Sequence, residues 1–343
     1  MNRSAEASPI ALSPAPAAAN RRRFNAGLAA FLAAGAVPML MPGGAWAADP
    51  LVQRLRIVIP ANEGGGWDQT GRALGAALVA TGAVGEVVYE NIGGKGGTIG
   101  LARYVEKYDA DPDALLMSGM VMVGAVALQK PAVGLAQVTP LARLTSDYEA
   151  VVVRADSPIK TPKDLIAALR GNAAGTVVAG GSAGGVDHMY AGMLARVAGK
   201  TAELVYRPYA GGAQVVEDVL AGKAAVGISG FSEFSEGVAS GKLRAIGVSS
   251  KHPYQGIPSM REQGVDADLA NWRGVLTGKK VPPERRAVLL EAVRRATGHE
   301  LWAKALRRNN WEASWMAGKD FESFLDIDLS MAGVLVYLLK LKA

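Results

Sequence analysis

Four glycine-rich clusters could bind an anion, because each follows an apolar run and opens into a segment with helical periodicity. They occupy residues 62–68, 91–98, 180–185 and 209–212. Glycine permits turns with positive φ, and the first amides of a following helix have no partners inside that helix. Such a turn offers N–H donors and the positive end of the helix dipole to a carboxylate or phosphate. Four clusters in one chain predict a site that several loops assemble together.

Polar side chains beside these clusters are candidate ligand contacts. Asp68 and Asp187 lie in the first helical turn after a cluster, where a carboxylate either caps the helix or faces the ligand. Glu63 lies inside the first cluster, so either it points outward or the ligand also offers a donor. Hydroxyl groups at strand ends and helix starts could bind a carboxylate or serve as ordinary turn residues; these belong to Thr98, Ser118, Ser182 and Ser229.

One of the clusters also fits an enzyme. Gly180-x-Ser182-x-Gly184 between a strand and a helix matches the nucleophile elbow of α/β-hydrolases. Its base could be His252 following an acid such as Asp218, since His188 lies one turn along the helix that the elbow itself starts. A secreted serine hydrolase is therefore the alternative to an anion-binding protein.

Metal and cofactor motifs are incomplete. The segment that begins His299-Glu300 has Ala303 where a zinc-binding helix needs its second histidine. Lys95 is followed by Gly96 where a phosphate-binding loop needs Ser or Thr, and Ile99 replaces the third glycine of a dinucleotide fingerprint. We expect no cofactor and no metal. Trp272 is expected to be a core residue.

Composition favours an exported globular protein. Half of the residues are apolar and 20% are charged, which excludes a disordered chain. The sequence has no cysteine and hence no disulfide, and its net charge of +6 is partly due to four basic residues in the first 47 positions. The other basic residues are dispersed, and no basic stripe with interleaved aromatics predicts nucleic-acid binding.

The first 47 residues read as a signal peptide. Arg21, Arg22 and Arg23 precede an uncharged stretch at residues 26–42, and Ala45-Trp46-Ala47 is a small-x-small cleavage site. The paired arginines followed by Phe24 are typical of twin-arginine export, with general secretion as the alternative. We therefore expect a periplasmic protein that is cleaved near Ala47. A membrane anchor that is retained without cleavage is the less favoured alternative.

Short apolar runs alternate with helical patterns along the remaining chain, which indicates βαβ units. The length favours two domains. Strands are predicted at residues 56–60, 86–90, 114–118, 150–154, 176–179, 202–207, 224–229 and 243–249, and the chain after about residue 250 is predicted to be rich in helices.

In order, these motifs resemble the Bug-type substrate-binding proteins of tripartite tricarboxylate transporters. The resemblance rests on residues 59–68, 91–100, 179–188, 208–212 and 241–246 and covers the chain from about residue 55 onward. It implies an α/β, type II periplasmic binding protein with two domains, a ligand cleft and two crossing segments. The first domain would hold residues 48–151 and 250–343, and the second residues 152–249.

The same resemblance implies a monomeric, non-enzymatic receptor that passes a small organic carboxylate to membrane subunits of the transporter. A citrate-like di- or tricarboxylate is the first choice of ligand, and an aromatic or amino acid is a further possibility. The family binds its ligand through glycine-loop amides and hydroxyls, and the positions that match are Gly64, Gly65, Gly66, Asp68, Ser182, Ala183, Gly184 and Gly185. With the candidates from the clusters themselves, the predicted ligand contacts also include Trp67, Thr98, Ser118, Asp187, Tyr209, Gly211 and Ser229.

Overall fold

The computed structural model describes residues 49–209 and 211–341, so the predicted signal peptide lies outside the described residues. The strands are β1 Val52–Ile59, β2 Val84–Asn91, β3 Ala114–Gly119, β4 Val138–Arg154, β5 Val178–Gly180, β6 Tyr206–Pro208, β7 Val226–Gly230, β8 Leu243–Val248, β9 Ala270–Gly278 and β10 Glu312–Ala317. The helices are α1 Gly66–Ala80, α2 Thr98–Tyr108, α3 Met120–Gln129, α4 Pro162–Asn172, α5 Val186–Val197, α6 Gly212–Leu220, α7 Phe231–Ala239, α8 Pro283–Thr297, α9 Glu300–Asn309 and α10 Gly318–Leu338.

The strands form one mixed sheet in the order β2-β1-β3-β9-β4-β7-β5-β6, and β8 and β10 also pair with β4. At one end β1 runs parallel to β2 and β3, and at the other β5 runs parallel to β6 and β7. The antiparallel strands β9 and β4 join the two parallel halves. Parallel strands place their carboxyl ends, and the loops that follow, at one edge. The glycine clusters of both halves therefore come from such edges.

Core residues fall into three groups, and the first of them extends to Val186 and Met189 of α5. The first group contains Val58, Leu74 and Phe321 and covers β1–β3, β9 and the C-terminal helices. The other two groups lie on the second half, one around Val151 and the other around Phe234. The fold is thus α/β, as the resemblance implied, with helices packed on a single mixed sheet.

The chain after residue 250 is rich in helices, as predicted, but the sequence prediction missed two strands there. β9 lies at the centre of the sheet, between β3 and β4, and it is almost entirely buried. A strand buried on both faces lacks the polar–apolar alternation that identifies strands. β10 is a strand that pairs only with β4. Predicted strand 202–207 is shorter than expected, since Thr201–Glu203 is a 3₁₀ turn before β6.

Two chain segments cross between the halves side by side. The Ser249 amide donates to the Glu149 carbonyl at 2.9 Å, and the Glu149 amide donates to Ser249 Oγ at 2.9 Å. Ser249 Oγ in turn donates to the Leu269 carbonyl at 2.6 Å. One buried hydroxyl therefore links both crossings.

Replacing Ser249 by alanine should destabilise the protein, because the buried Glu149 amide and Leu269 carbonyl would each lose a partner. We expect the free energy of unfolding to fall by about 1–3 kcal/mol, measured by urea denaturation. Ser235→Ala is the matched control, since this exposed serine bonds only within its own helix turn. Equal stabilities of the two variants would contradict a linking role for Ser249.

Within the described residues, no helix combines the length and apolarity that crossing a membrane requires.

Candidate functional site

A cavity of about 680 Å³ receives residues from all four glycine clusters. The predicted ligand contacts that line it are Gly64, Gly65, Gly66, Trp67, Ser182, Gly185, Asp187, Gly211 and Ser229. The clusters meet because each follows a strand of the sheet. Helices α1, α5 and α6 begin directly after Gly65, Gly185 and Gly211, so three helix N-termini open at the cavity.

The structure places six predicted contacts outside the cavity lining: Asp68, Thr98, Ser118, Ala183, Gly184 and Tyr209. Thr98 Oγ1 donates to Gln129 Oε1 at 3.0 Å, and Ser118 Oγ lies 3.4 Å from Met122 Sδ. The Tyr209 hydroxyl donates to the carboxylate of Asp218. These side chains therefore make internal contacts.

Carboxylates of the protein itself accept hydrogen bonds from backbone amides of three glycine clusters. The Gly64 amide donates to Asp68 Oδ2 at 2.9 Å, and the Gly181 amide donates to Asp187 Oδ2 at 2.6 Å. The Gly212 amide donates to the carboxylate of Glu233. Part of the anion-binding capacity of these turns is thus used within the molecule.

Asp68 is a structural carboxylate. Burial would raise its pKa, but hydrogen bonds from Arg72, Gly64 and Asn91 outweigh burial and hold the pKa below its ordinary value. Glu63 is exposed and pairs with Arg72 at 3.5 Å, so it points away from the cavity. The negative charge of Glu63 is therefore not directed at a ligand in the cavity.

Arg273 is the residue that the sequence reasoning missed. It lies on β9 with 8% exposure, and its guanidinium stacks on Trp311 with Cζ 4.6 Å from the ring centre. Nη2 lies 3.5 Å from Asp147 Oδ2, whereas Nη1 is buried and has no hydrogen-bond partner among the described residues. A fork of N–H donors with one unpaired nitrogen can bind a carboxylate. The only signal in the sequence was a basic residue beside Trp272, and it lay in a strand that was not predicted.

The guanidinium is packed against the start of α1. A Cβ at Gly66 would lie 3.0 Å from Arg273 Nη2. The glycine at this position therefore makes room for the cation, and Arg273 and the first cluster form one surface of the cavity.

The opposite charge is also concentrated in the cavity. Asp147, Glu149, Asp187 and Glu233 line it together. Burial raises the pKa of Glu149 well above its ordinary value, and burial raises the pKa of Asp187 to about 6. The two carboxyl groups contact each other, so that a protonated Glu149 donates to Asp187. Of these four acids, sequence analysis predicted only Asp187 as a ligand contact. The other three do not lie beside one of the four glycine clusters in the sequence.

The structure does not assemble a serine hydrolase. His188 Nδ1 accepts the Gly184 amide at 3.1 Å, its ring stacks on Tyr206, and burial lowers its pKa to about 4. His252 lines a second cavity of about 450 Å³, separate from the cavity that Ser182 lines. Asp218 is engaged by Arg207 and Tyr209. The hydrolase alternative is therefore wrong.

Trp272 is a core residue, as predicted. It is fully buried, meets Phe321 and Phe324 edge-on, and donates through Nε1 to Asp328. Its neighbour Arg273 faces the other side of β9. The strand thus separates the core from the cavity.

Comparison with known proteins decides the family. Residues 76–341 match the model of the tripartite tricarboxylate transporter family receptor, TctC. The chain belongs to this family. Its members are receptors that bind substrates and are not enzymes, and they act in the periplasm.

Individual relatives of this TctC-family chain are distant. A UPF0065 protein from the TAR-I ttuE-ttuC' intergenic region of Agrobacterium vitis is 27% identical over 70% of each chain. A crystal structure of a TctC solute-binding protein from Polaromonas has a TM-score of 0.71 and 24% identity, covering 83% of this chain and 98% of that one. The structure of R. palustris Rpa4515 with adipate has a TM-score of 0.70 and 22% identity. The match covers 85% of this chain and 99% of that one. These structures share the fold of this chain.

Proposed function

We propose that the protein captures a small organic carboxylate in the 680 Å³ cavity and delivers it to the membrane subunits of a tripartite tricarboxylate transporter. The observation that carries this proposal is the unpaired Nη1 of Arg273, a residue that lines the same cavity as the glycine clusters. The size of the cavity supports a small ligand, since sites for such molecules measure roughly 300–1,000 Å³.

Citrate-like di- and tricarboxylates, the first choice from the sequence, are the reference ligands. Adipate, the dicarboxylate in the R. palustris structure, supports a carboxylate of this size. A carboxylate that bridges Arg273 on one lobe and the start of α5 on the other would favour the closed form.

The division into domains belongs to this proposal. Residues 48–151 with 250–343 and residues 152–249 were predicted as the two domains. The packing of Met260, Val265 and Ala267 with Val151 favours a later second boundary, near Leu269. We propose that closure bends the chain where Glu149, Ser249 and Leu269 meet.

Export also belongs to the proposal. We propose that residues 1–47 are a twin-arginine-like signal that is cleaved near Ala47, and that the receptor works as a monomer. Cell fractionation and N-terminal sequencing would test this part.

A thermal-shift screen of residues 48–343 tests the function. The panel is citrate, tricarballylate, malate, succinate and adipate. A ligand at a hundred times its dissociation constant should stabilise the protein by about 2.7 kcal/mol. If neither these acids nor any other organic anion, amino acids included, raises the melting temperature, the receptor proposal fails for this cavity.

Replacing Gly66 by alanine should weaken carboxylate binding by about tenfold or more, because the new Cβ would push the Arg273 guanidinium away. The fold should tolerate the change, since alanine suits the first residue of a helix. The matched control is Gly171→Ala in α4, where a Cβ meets open space. Isothermal titration calorimetry gives the dissociation constants, and unchanged binding by Gly66→Ala would contradict the placement of the ligand beside Arg273.

A further inference from the structure

Most of the charged side chains that line the cavity are acids, which does not favour the binding of a polyanion. Four acids face two arginines there, and Arg308 is exposed. Within residues 49–209 and 211–341, Asp147 is the one acid of the four that forms an ion pair, with Arg273. Asp187 and Glu233 form no ion pair of their own within the described residues, with Arg273 the basic group whose charge acts on Glu233, and burial favours the protonated form of Glu149.

Glu149 strengthens this observation, because its side chain is 0% exposed and lies at the crossing of the two halves. Apart from the Asp187 carboxyl, neither of its oxygens has a hydrogen-bond partner among the described residues. Buried carboxylates without partners are costly and normally receive donors. The part of the chain that the structure describes also contains no group of three or more acids or histidines arranged to hold a metal ion.

The cavity thus offers two kinds of unpaired group. Arg273 Nη1 is a donor that needs an acceptor, and Asp187 and Glu233 are carboxyl groups that accept hydrogen bonds from amides but form no ion pair within the described residues. A tricarboxylate satisfies the first and is repelled by the second, because like charges at short distance repel each other. An ammonium group has three donors and no acceptor, which matches the acids.

Resting on the proposed function, we propose that the ligand is a carboxylate that also carries an amino group. Its carboxylate binds Arg273 and the amides of the first glycine cluster, and its ammonium faces Asp187 and Glu233, with Glu149 behind them. The Arg273 and Asp187 sides of the cavity come from different lobes, so a ligand with both charges holds the two together.

Proton release distinguishes such a ligand. Asp147, Glu233 and Arg273 are the charged groups that face the Glu149–Asp187 pair, and His188 on the same helix stays neutral above about pH 4. An ammonium beside the pair favours its ionised form, so binding releases a proton at a pH where the pair still holds one. A second carboxylate in that place favours the protonated form, and binding then takes up a proton.

Calorimetry with matched ligands tests the inference. The pairs are succinate with aspartate, glutarate with glutamate, and butyrate with 4-aminobutyrate, each titrated in two buffers of different ionisation enthalpy. We expect the amino member of at least one pair to bind about tenfold tighter or more, with proton release.

Variants locate the amino group. Asp187→Asn and Glu233→Gln should each weaken the amino ligand by about tenfold and leave its partner without the amino group unchanged or tighter. Glu236→Gln is the control, since this acid lies on α7 but outside the cavity lining. It should change neither dissociation constant.

Three outcomes would overturn the inference. If members without the amino group, or citrate, bind as tightly or tighter in every comparison, the ligand class is wrong and the receptor function stands. The ligand class is also wrong if binding of the tightest ligand takes up a proton. It is wrong as well if Asp187→Asn leaves the preference for the amino ligand unchanged. If neither kind of carboxylate binds, the proposed function fails as well.

Discussion

Replacing Arg273 by lysine should weaken the binding of any carboxylate ligand by about a hundredfold or more. The guanidinium contacts Asp147 and Trp311 and still has a free nitrogen for the ligand, which a compact ammonium cannot reproduce. Losing a buried, hydrogen-bonded charge contact costs roughly 2–5 kcal/mol. Isothermal titration calorimetry of the best ligand of the panel gives the ratio of dissociation constants.

Two further variants separate binding from folding. Arg273→Met combined with Asp147→Asn removes both charges of the pair, so stability should stay within about 1–2 kcal/mol of the wild type while binding is lost. Arg261→Lys is the control, because Arg261 also pairs with acids but on the exposed surface. If the double variant binds carboxylate within about threefold of the wild type, Arg273 serves the fold and not the ligand.

Glu149→Gln should stabilise the ligand-free protein at alkaline pH. The pKa of Glu149 is raised above its unfolded value, so its favourable contribution is present at low pH and is lost as the pH rises through the folded pKa. Each such carboxyl costs up to about 1.4 kcal/mol per pH unit across its window. The window of Asp187 ends at about pH 6, and that of Glu149 extends above it.

Glutamine keeps the shape of Glu149 and can still donate to Asp187, but it has no proton to lose. We therefore expect Glu149→Gln to exceed the wild type in unfolding free energy at pH 8, by up to about 1.4 kcal/mol for each pH unit between the unfolded and folded pKa values of Glu149, and to approach the wild type at pH 5. Urea denaturation at several pH values measures the difference. The exposed Glu86→Gln is the control, and parallel pH profiles for Glu149→Gln and the wild type would contradict a buried, protonated Glu149.

Local patterns were sufficient to predict the glycine clusters. Each cluster lies between a strand and a helix, so its position follows from a few consecutive residues, as with the turn that precedes α5. The order of the clusters also carried the family resemblance, which implied the α/β fold. These features depend on neighbours in the sequence, and no distant contact is needed to recognise them.

The charged part of the cavity could not be predicted in this way. Asp147 and Glu149 lie on β4, Arg273 lies on β9, and Glu233 lies on α7. They meet because β4 runs antiparallel to both β9 and β7, which is a property of the tertiary fold. β9 itself was hidden because a central strand carries no alternation. Likewise, the sequence could not reveal that the Glu233 carboxylate would accept a hydrogen bond from the Gly212 amide.

A crystal structure of residues 48–343 with the tightest carboxylate of the two panels tests the central claim most directly. We predict a ligand carboxylate in the 680 Å³ cavity, with an oxygen about 2.7–3.2 Å from Arg273 Nη1 and further bonds from amides of the first glycine cluster. A ligand bound in the second cavity beside His252, or one in the first cavity that leaves Arg273 Nη1 unpaired, would contradict the account.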